Sequence, residues 1–269
     1  MKRIPLLVLL WLVPLSLAAQ WTVKPGGWFM SHGFNKGRFP DRFSADQGAT
    51  ENALEKVDWG LYFIYGWKEG LSLGLGQGFA NLEDKRNGTS TTTTGFGATG
   101  LFVMKRLAQG KGGILSVQPR VDLPLLYDTG ARPVLGPVKA EAELRLLYGT
   151  GYGLAGHRGW IATAVGGSVW RHGDDEIRTD GTIGYDAGHN LTLMAQSFNV
   201  VGLQRGGGID YSATKVGGSL IWHVSKSVGL VGGYYGGVSG KNTARERTAS
   251  FSIWINHDPR AGAPPQTPH

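Results

Sequence analysis

The 269-residue chain has no cysteine, so no disulfide framework can hold it together and stability must come from elsewhere. It is also poor in charge: Asp, Glu, Lys and Arg make up 17% of residues against 41% hydrophobic ones, a balance that argues against disorder. After residue 20 no apolar run reaches the roughly 20 residues that a membrane-spanning helix needs. Long stretches of helical period are missing as well. What is abundant is glycine, at 44 residues, without the G-x-y period of collagen.

The N-terminus reads "MKRIPLLVLLWLVPLSLAAQ". Lys2 and Arg3 form a basic region, Leu6 to Leu15 a short apolar one interrupted by Pro14, and Ser16 and Ala18 occupy the −3 and −1 positions of a cleavage site. This is a secretory signal, expected over residues 1–18. No cysteine follows it, which excludes a lipoprotein anchor. Loss of Lys2 and Arg3 lowers the formal charge of +7 by two. The remaining basic residues are scattered rather than striped, so the expected partners are anionic lipid headgroups or an acidic solute, and not nucleic acid.

Alternation of apolar and polar residues dominates the mature chain. In "LSVQPRVDLPLLYD", Leu115, Val117, Val121, Leu123, Leu125 and Tyr127 share one parity, and Ser116, Gln118, Arg120 and Asp122 share the other. A strand places these sets on opposite faces. In "EKVDWGLYFIYGW", Val57, Trp59, Leu61, Phe63, Tyr65 and Trp67 oppose Lys56, Asp58 and Gly60. In "VKAEAELRLLYG", Val138, Ala140, Ala142, Leu144, Leu146 and Tyr148 oppose Lys139, Glu141, Glu143 and Arg145. Such runs predict strands near 26–36, 54–67, 71–83, 93–105, 114–127, 138–149, 160–171, 176–187, 191–204, 210–223, 227–239 and 244–256. Pro119 and Pro124 fall inside the fifth, where a bulge or kink is expected because proline donates no ladder hydrogen bond.

These runs are about twice the usual strand of a soluble sandwich and near the length that crosses a bilayer at a tilt. An open sheet edge in lipid would leave backbone groups unpaired, which closure avoids. The expected fold is therefore all-β, a transmembrane antiparallel up-and-down barrel of about 12 strands over residues 19–256, followed by a Pro-rich disordered tail, 257–269. Longer polar connections at 37–53, 84–92 and 128–137 alternate with short ones at 68–70, 188–190 and 224–226. The links at 106–113 and 150–159 are longer than this pattern wants. Short turns of such barrels lie in the periplasm, which places the protein in the outer membrane of a Gram-negative bacterium. Its expected partners are outer-membrane lipids and lipopolysaccharide, the barrel-assembly machinery and a small-molecule solute.

The stretches "QWTVKPGGWF", "FSADQGA", "YGWKEGLSLGLGQGF" and "GGILSVQPRVDLPL" resemble a proteobacterial transporter-like outer-membrane β-barrel family related to the phenol-degradation meta-pathway barrel proteins. The likeness covers the first half of the chain and continues beyond it only as a strand pattern. It implies a barrel that passes small compounds, hydrophobic ones included. It carries no catalytic motif.

Two groups of side chains follow from the strand pattern. Lys56, Asp58, Arg120, Asp122, Lys139, Glu141, Glu143, Arg145, Arg178, Asp180 and Asp186 are expected to line the lumen, either as a charged path that selects solutes or as a paired plug that fills a small barrel. Trp28, Trp67, Trp160, Trp222 and Trp254 fall at one end of their strands, the place of an interfacial aromatic girdle. The functions in view are a passive channel or transporter, a structural or assembly-partner barrel with a plugged lumen, and a membrane-embedded lipid hydrolase. The last would use His223 and Ser225 of "WHVS" as base and nucleophile. No third orienting residue accompanies that pair, so no enzyme is expected. His32, His157, His172 and His189 lack metal-ligand spacing, and "HGDD" at 172–175 and "EDKRNG" at 83–88 read as surface loops. "GYGLAG" lacks the strand and helix of a nucleotide site. No cofactor or metal is expected.

Overall fold

A computed structural model describes residues 22–43, 52–86, 89–126, 128–137, 139–170, 175–188, 190–203 and 210–259. The predicted signal segment, most of the Pro-rich tail, His172 and His189 lie outside the described residues. The strands are β1 (Trp28–Phe39), β2 (Arg42–Phe43), β3 (Asn52–Lys68), β4 (Leu71–Arg86), β5 (Thr89–Gly110), β6 (Gly113–Leu123) and β7 (Glu141–Leu154). They continue as β8 (His157–Trp170), β9 (Asp175–Gly188), β10 (Leu191–Leu203), β11 (Ser212–His223), β12 (Val228–Lys241), β13 (Thr243–Ala244) and β14 (Arg247–His257). All but β2 and β13 close into one barrel of twelve antiparallel strands, sealed where β1 pairs with β14 from Trp28↔His257 to Arg38↔Arg247. β2 and β13 form a separate two-stranded ribbon.

The alternation read from the sequence sets the two faces. On β3, Asp58, Tyr62 and Ile64 are buried inside, while Trp59, Tyr65 and Trp67 are exposed outside. Leu101, Leu144, Leu193 and Leu220 are exposed on other strands in the same outward sense. A belt of large apolar side chains around a closed ladder is a lipid-facing surface, and closure leaves no sheet edge unpaired in it.

Aromatic rings border the belt. Toward the end with long connections, Phe34, Trp59, Phe79 and Phe96 stand on neighbouring strands in register, with centroids 5.4, 6.0 and 5.3 Å apart. Phe251 continues this row across the closure seam. Toward the short-turn end Trp28, Trp67 and Trp222 point outward, with Trp28 6.2 Å from the Phe63 ring. Trp160 and Trp254 do not join them. Both face inward, packed against Met194, Ile221 and Val231, so two of the five predicted girdle residues belong to the lumen. Their strands place them in parity with Ala162 and Ala164, and with Ser250 and Ser252.

The short-turn end is more regular than the sequence pattern indicates. β5 runs to Gly110 and β6 starts at Gly113, so the link near 106–113 is a tight turn. Likewise Ala155 and Gly156 alone join β7 to β8, both with positive φ (51° and 79°). That is the backbone of a two-residue hairpin turn whose twist matches its strands. At the other end β4 and β5 extend to Arg86 and Thr89, so the predicted 84–92 loop is mostly strand.

The prolines of the fifth predicted strand act differently from expectation. Phe102↔Arg120 and Lys105↔Val117 keep the same register on either side of Pro119, and the ladder shifts instead between Arg106 and Ala108. On its other side Pro119 pairs with Leu144 in an unbroken ladder. Pro119 therefore introduces no bulge. Pro124 lies just past Leu123, where β6 ends.

Glycine makes room for the lumen's large side chains. A Cβ on Gly74 would stand 1.9 Å from the Phe102 ring, one on Gly184 2.2 Å from Trp160, and one on Gly100 2.1 Å from the Arg120 guanidinium. Each glycine lies on a strand next to the side chain it accommodates. Bulky groups thus lie flat across the wall instead of clashing with it, which accounts for part of the glycine content.

Candidate functional site: the barrel lumen

Three tiers occupy the inward face. The first, at the long-loop end, is formed where the β6–β7 connection turns into the barrel mouth. Val134 and Leu135 are buried there, and Leu135 packs on Ala80, Leu82 and Leu54. Between this loop and the wall of β3–β5 is a small cleft, open to solvent, lined by Lys56, Asp58, Arg120 and Leu135 and by glycine backbone. On the outward side of this wall, at the parity of Leu61 and Leu123, Gln77 Nε2 donates to the carbonyls of Gly78 and Gly97, each at 3.0 Å, and its Oε1 accepts from Thr99 at 2.6 Å.

The middle tier is ionic. Asp58 accepts from Asn35 at 2.9 Å and pairs with Lys56 at 3.0 Å. Arg120 binds both oxygens of Asp122, at 2.8 and 2.6 Å. On a strand, residues two apart share a face, so "RVD" at 120–122 builds this fork locally. Arg145 reaches Asp180 at 2.9 Å and Glu143 at 2.8 Å. Arg178 lies 2.5 Å from Glu176, 3.4 Å from Glu141 and 3.5 Å from Glu143, and the Tyr211 hydroxyl donates to Glu176. Lys215 pairs with both oxygens of Glu246 at 3.1 Å, and Thr248 donates to that carboxylate at 2.6 Å. The Lys215 ammonium also lies 5.5 Å from the Phe198 ring centroid, within cation–π range.

The third tier, toward the short-turn end, is apolar. Tyr62, Ile64, Phe102, Met104, Leu147 and Ala164 form one cluster with Val23 and Phe29 packed on it. The Tyr62 and Phe102 rings stack at 5.2 Å. Met194, Ile221 and Val231 form another with Trp160 and Trp254. The segment ahead of β1 is tied into this end. Val23 N–H donates to Ser72 Oγ at 2.9 Å, and Gly26 and Gly27 exchange backbone hydrogen bonds with Gly66 at 2.8 and 2.9 Å.

Of the predicted lumen residues, the structure brings Lys56, Asp58, Arg120, Asp122, Glu141, Glu143, Arg145, Arg178 and Asp180 into the ionic tier. Asp186 also faces inward but stands apart, near the short turns, where Thr192 donates to it at 2.7 Å and lies 2.9 Å from His223 Nε2. Lys139 departs from expectation: β7 starts at Glu141, and Lys139 is an exposed residue of the preceding loop. Sequence reasoning missed Glu176, Lys215 and Glu246. Glu176 shares parity with Arg178 and Asp180, a signal that was present. Lys215 sits among weakly alternating residues, and Glu246 precedes its strand. With these included, Asp58, Asp122, Glu141, Glu143, Glu176, Asp180 and Glu246 outnumber Lys56, Arg120, Arg145, Arg178 and Lys215 among the described residues.

His223 and Ser225 have separate partners. Ser225 Oγ accepts from the backbone N–H of Ser227 at 3.2 Å and Val228 at 3.1 Å, which closes the turn between β11 and β12. His32 points outward between Met30 and Phe34 on β1, and His157 lies 5.5 Å from the Tyr185 ring.

No family model matches the sequence. No curated protein matches it either. Solved structures do. The COG4313 outer membrane channel from Pseudomonas putida F1 aligns at a TM-score of 0.74 with 11% identity, over 90% of this chain and 100% of that one. The NanC porin aligns at 0.52 with 12% identity, over 83% and 98%. The translocator domain of the autotransporter NalP from Neisseria meningitidis aligns at 0.50 with 11% identity, over 88% and 91%. At such identities the likeness is one of fold.

Proposed function

We propose that the protein is a passive outer-membrane channel for small solutes, hydrophobic and aromatic ones included, in a Gram-negative bacterium. The observation that carries this reading is the contrast between the two faces of one closed wall. The outside is an apolar belt bordered by aromatic rings, and the inside carries an ionic tier between a solvent-open cleft and an apolar tier. Lipid explains the first face, and passage of polar or amphipathic matter explains the second. The short-turn end, which also holds both described termini, faces the periplasm. The cleft then opens to the exterior, and its mixture of Leu135, glycine backbone and the Arg120 plane suits small flat solutes. The fold it shares with the COG4313 channel supports the reading. Outer-membrane lipids, lipopolysaccharide and the barrel-assembly machinery are the partners such a barrel requires.

The channel works without chemical turnover. Ser225 is engaged as a turn residue, and His223 is bonded to Thr192. Replacement of Ser225 by Ala should leave phospholipid composition unchanged in cells that express the protein, and a changed lysophospholipid content would overturn this.

A second reading, a structural barrel with a filled lumen, is favoured by one observation: Glu141, Glu143, Glu176 and Lys215 are each no more than 5% exposed. Single-channel conductance of the refolded protein in a planar bilayer separates the two. Steady conductance whose ion selectivity shifts in Arg120 and Glu143 variants supports the channel. A heat-modifiable, folded barrel that never conducts supports the filled lumen.

A further inference from the structure

The outward face of the closure seam carries an unusual concentration of charge. Arg38 of β1 and Arg247 of β14 are direct cross-strand partners, and both side chains are exposed outside. Like charges so placed repel, because opposed side chains in a ladder are only about 5 Å apart at Cβ. Lys36, two residues before Arg38, adds a third cation on the same face. Among the described residues, the carboxylate paired with this cluster is Glu55, the partner of Arg38 on its other side, with 3.9 Å between the charged groups. Glu55 is shared with Lys85 at the same distance, and Lys85 also meets Glu83 at 3.2 Å. These carboxylates balance Lys85 and part of Arg38, and among the described residues no carboxylate pairs with Lys36 or Arg247.

The register places this cluster at a defined height. Phe251 and Phe34 are partners in the aromatic row, Ala249 and Lys36 are partners one outward step above it, and Arg247 and Arg38 one step above that. Four residues of strand rise about 13 Å along the chain. Aromatic girdles mark the edge of the hydrocarbon, so the cations stand where lipid phosphates lie. The surface beside them is recessed. On β12, Gly232 is the partner of Phe251 and Gly236 the partner of Arg247, and a Cβ at either glycine would meet nothing within 4 Å. The side chain of Ala249, between them, is small. Tyr234, its neighbour on β12, is 57% exposed and bounds the recess.

We infer that this recess holds the phosphorylated headgroup of an outer-leaflet lipid. The phosphate would rest over Ala249 among Lys36, Arg38 and Arg247, and an acyl chain would descend over Gly232 beside Phe251. Arginine forks and phosphate oxygens match in geometry, and an anion between Arg38 and Arg247 converts their repulsion into two attractions. This inference rests on the outer-membrane placement proposed above, but not on conductance, because all three cations point away from the lumen.

The test uses the purified protein in neutral detergent, with diphosphoryl lipid A as probe and native mass spectrometry as readout. Wild type should retain one lipid A, and the K36Q/R38Q/R247Q variant should retain it at least about tenfold less well. Lys85→Gln should change little. Lipid A stripped of phosphate should be lost from wild type, and inorganic phosphate should not displace the diphosphoryl form. Equal retention by the triple variant, or of the dephosphorylated lipid, would overturn the inference. So would occupancy by inorganic phosphate alone, which would mark a free-anion site. Heat modifiability and conductance of the same variants report the fold and the channel reading independently: a variant that conducts normally and still holds lipid A refutes only the headgroup site.

Discussion

Arg145 of β7 crosses β8 to reach Asp180 of β9, with Nη1 2.9 Å from Oδ2. The strand in between offers Gly166 at the crossing point, the register partner of Arg145, where a Cβ would lie 2.6 Å from the arginine Cγ. One glycine thus permits an ion pair between strands that do not touch. Removing one partner of a buried pair leaves an uncompensated charge, which costs about 3–5 kcal/mol. Arg145→Met is expected to lower the stability of the barrel in lipid vesicles by that order, read as the midpoint of urea unfolding. The double variant Arg145→Met, Asp180→Leu should recover most of the loss. An equal loss in the double variant would show that the pair holds the strands together beyond compensating charge.

The carboxylate excess of the ionic tier fixes the sign of any ion selectivity. A negative wall in a narrow, low-dielectric passage raises the local concentration of cations. In a KCl gradient the reversal potential of the open barrel should move toward the potassium equilibrium value. Glu141→Gln and Glu143→Gln should each reduce the displacement, and Arg178→Gln should increase it. Anion preference in the wild type would contradict the lumen charge described above.

Most of this wall was legible from alternation alone. Lys56 and Asp58, Arg120 and Asp122, and Glu141, Glu143 and Arg145 come in strands where one parity is charged and the other greasy. The lumen and the lipid then impose opposite demands on successive residues. Legibility failed where the two faces want the same chemistry. Trp160 and Trp254 were placed at the right depth but on the wrong face, because the lumen near the short turns is itself apolar and takes tryptophan as readily as lipid does. Lys139 was placed in the lumen because the predicted strand started at 138, whereas β7 starts at Glu141, and Glu246 was missed although the predicted strand 244–256 contains it. The aromatic row from Phe251 to Phe96 depends on the register between strands, which no single strand reveals.

The inward tryptophans give a direct test of the third tier. Trp160 lies over Gly184, which has no side chain to resist it. Gly184→Ala would place a Cβ 2.2 Å from the indole, and overpacking of this kind costs about 1–3 kcal/mol. Urea unfolding in vesicles should show that loss, and Trp160→Ala in the same chain should relieve it. If the tier narrows the passage, the Trp160→Ala, Trp254→Ala variant should conduct more than wild type at unchanged selectivity, because the ions that select lie in the tier above. Removal of Trp67, which points at lipid, should leave conductance where it was.

The lipid face can be tested against its own register. Leu101 is 44% exposed on β5, paired with Leu75 on one side and Val121 on the other, between the aromatic row at Phe96 and the short-turn end. It therefore stands near the middle of the apolar belt. A cationic side chain at the midplane of a transmembrane barrel costs about 2–4 kcal/mol, falling to about 0–1 near the interfaces. Leu101→Arg should thus destabilise the folded barrel in vesicles by the larger amount. Thr92→Arg, on the same strand beyond the aromatic row, should cost little. Similar costs at the two positions would mean that the hydrocarbon boundary does not follow the ring from Phe251 to Phe96, and the headgroup site at Lys36, Arg38 and Arg247 would lose its height along with it.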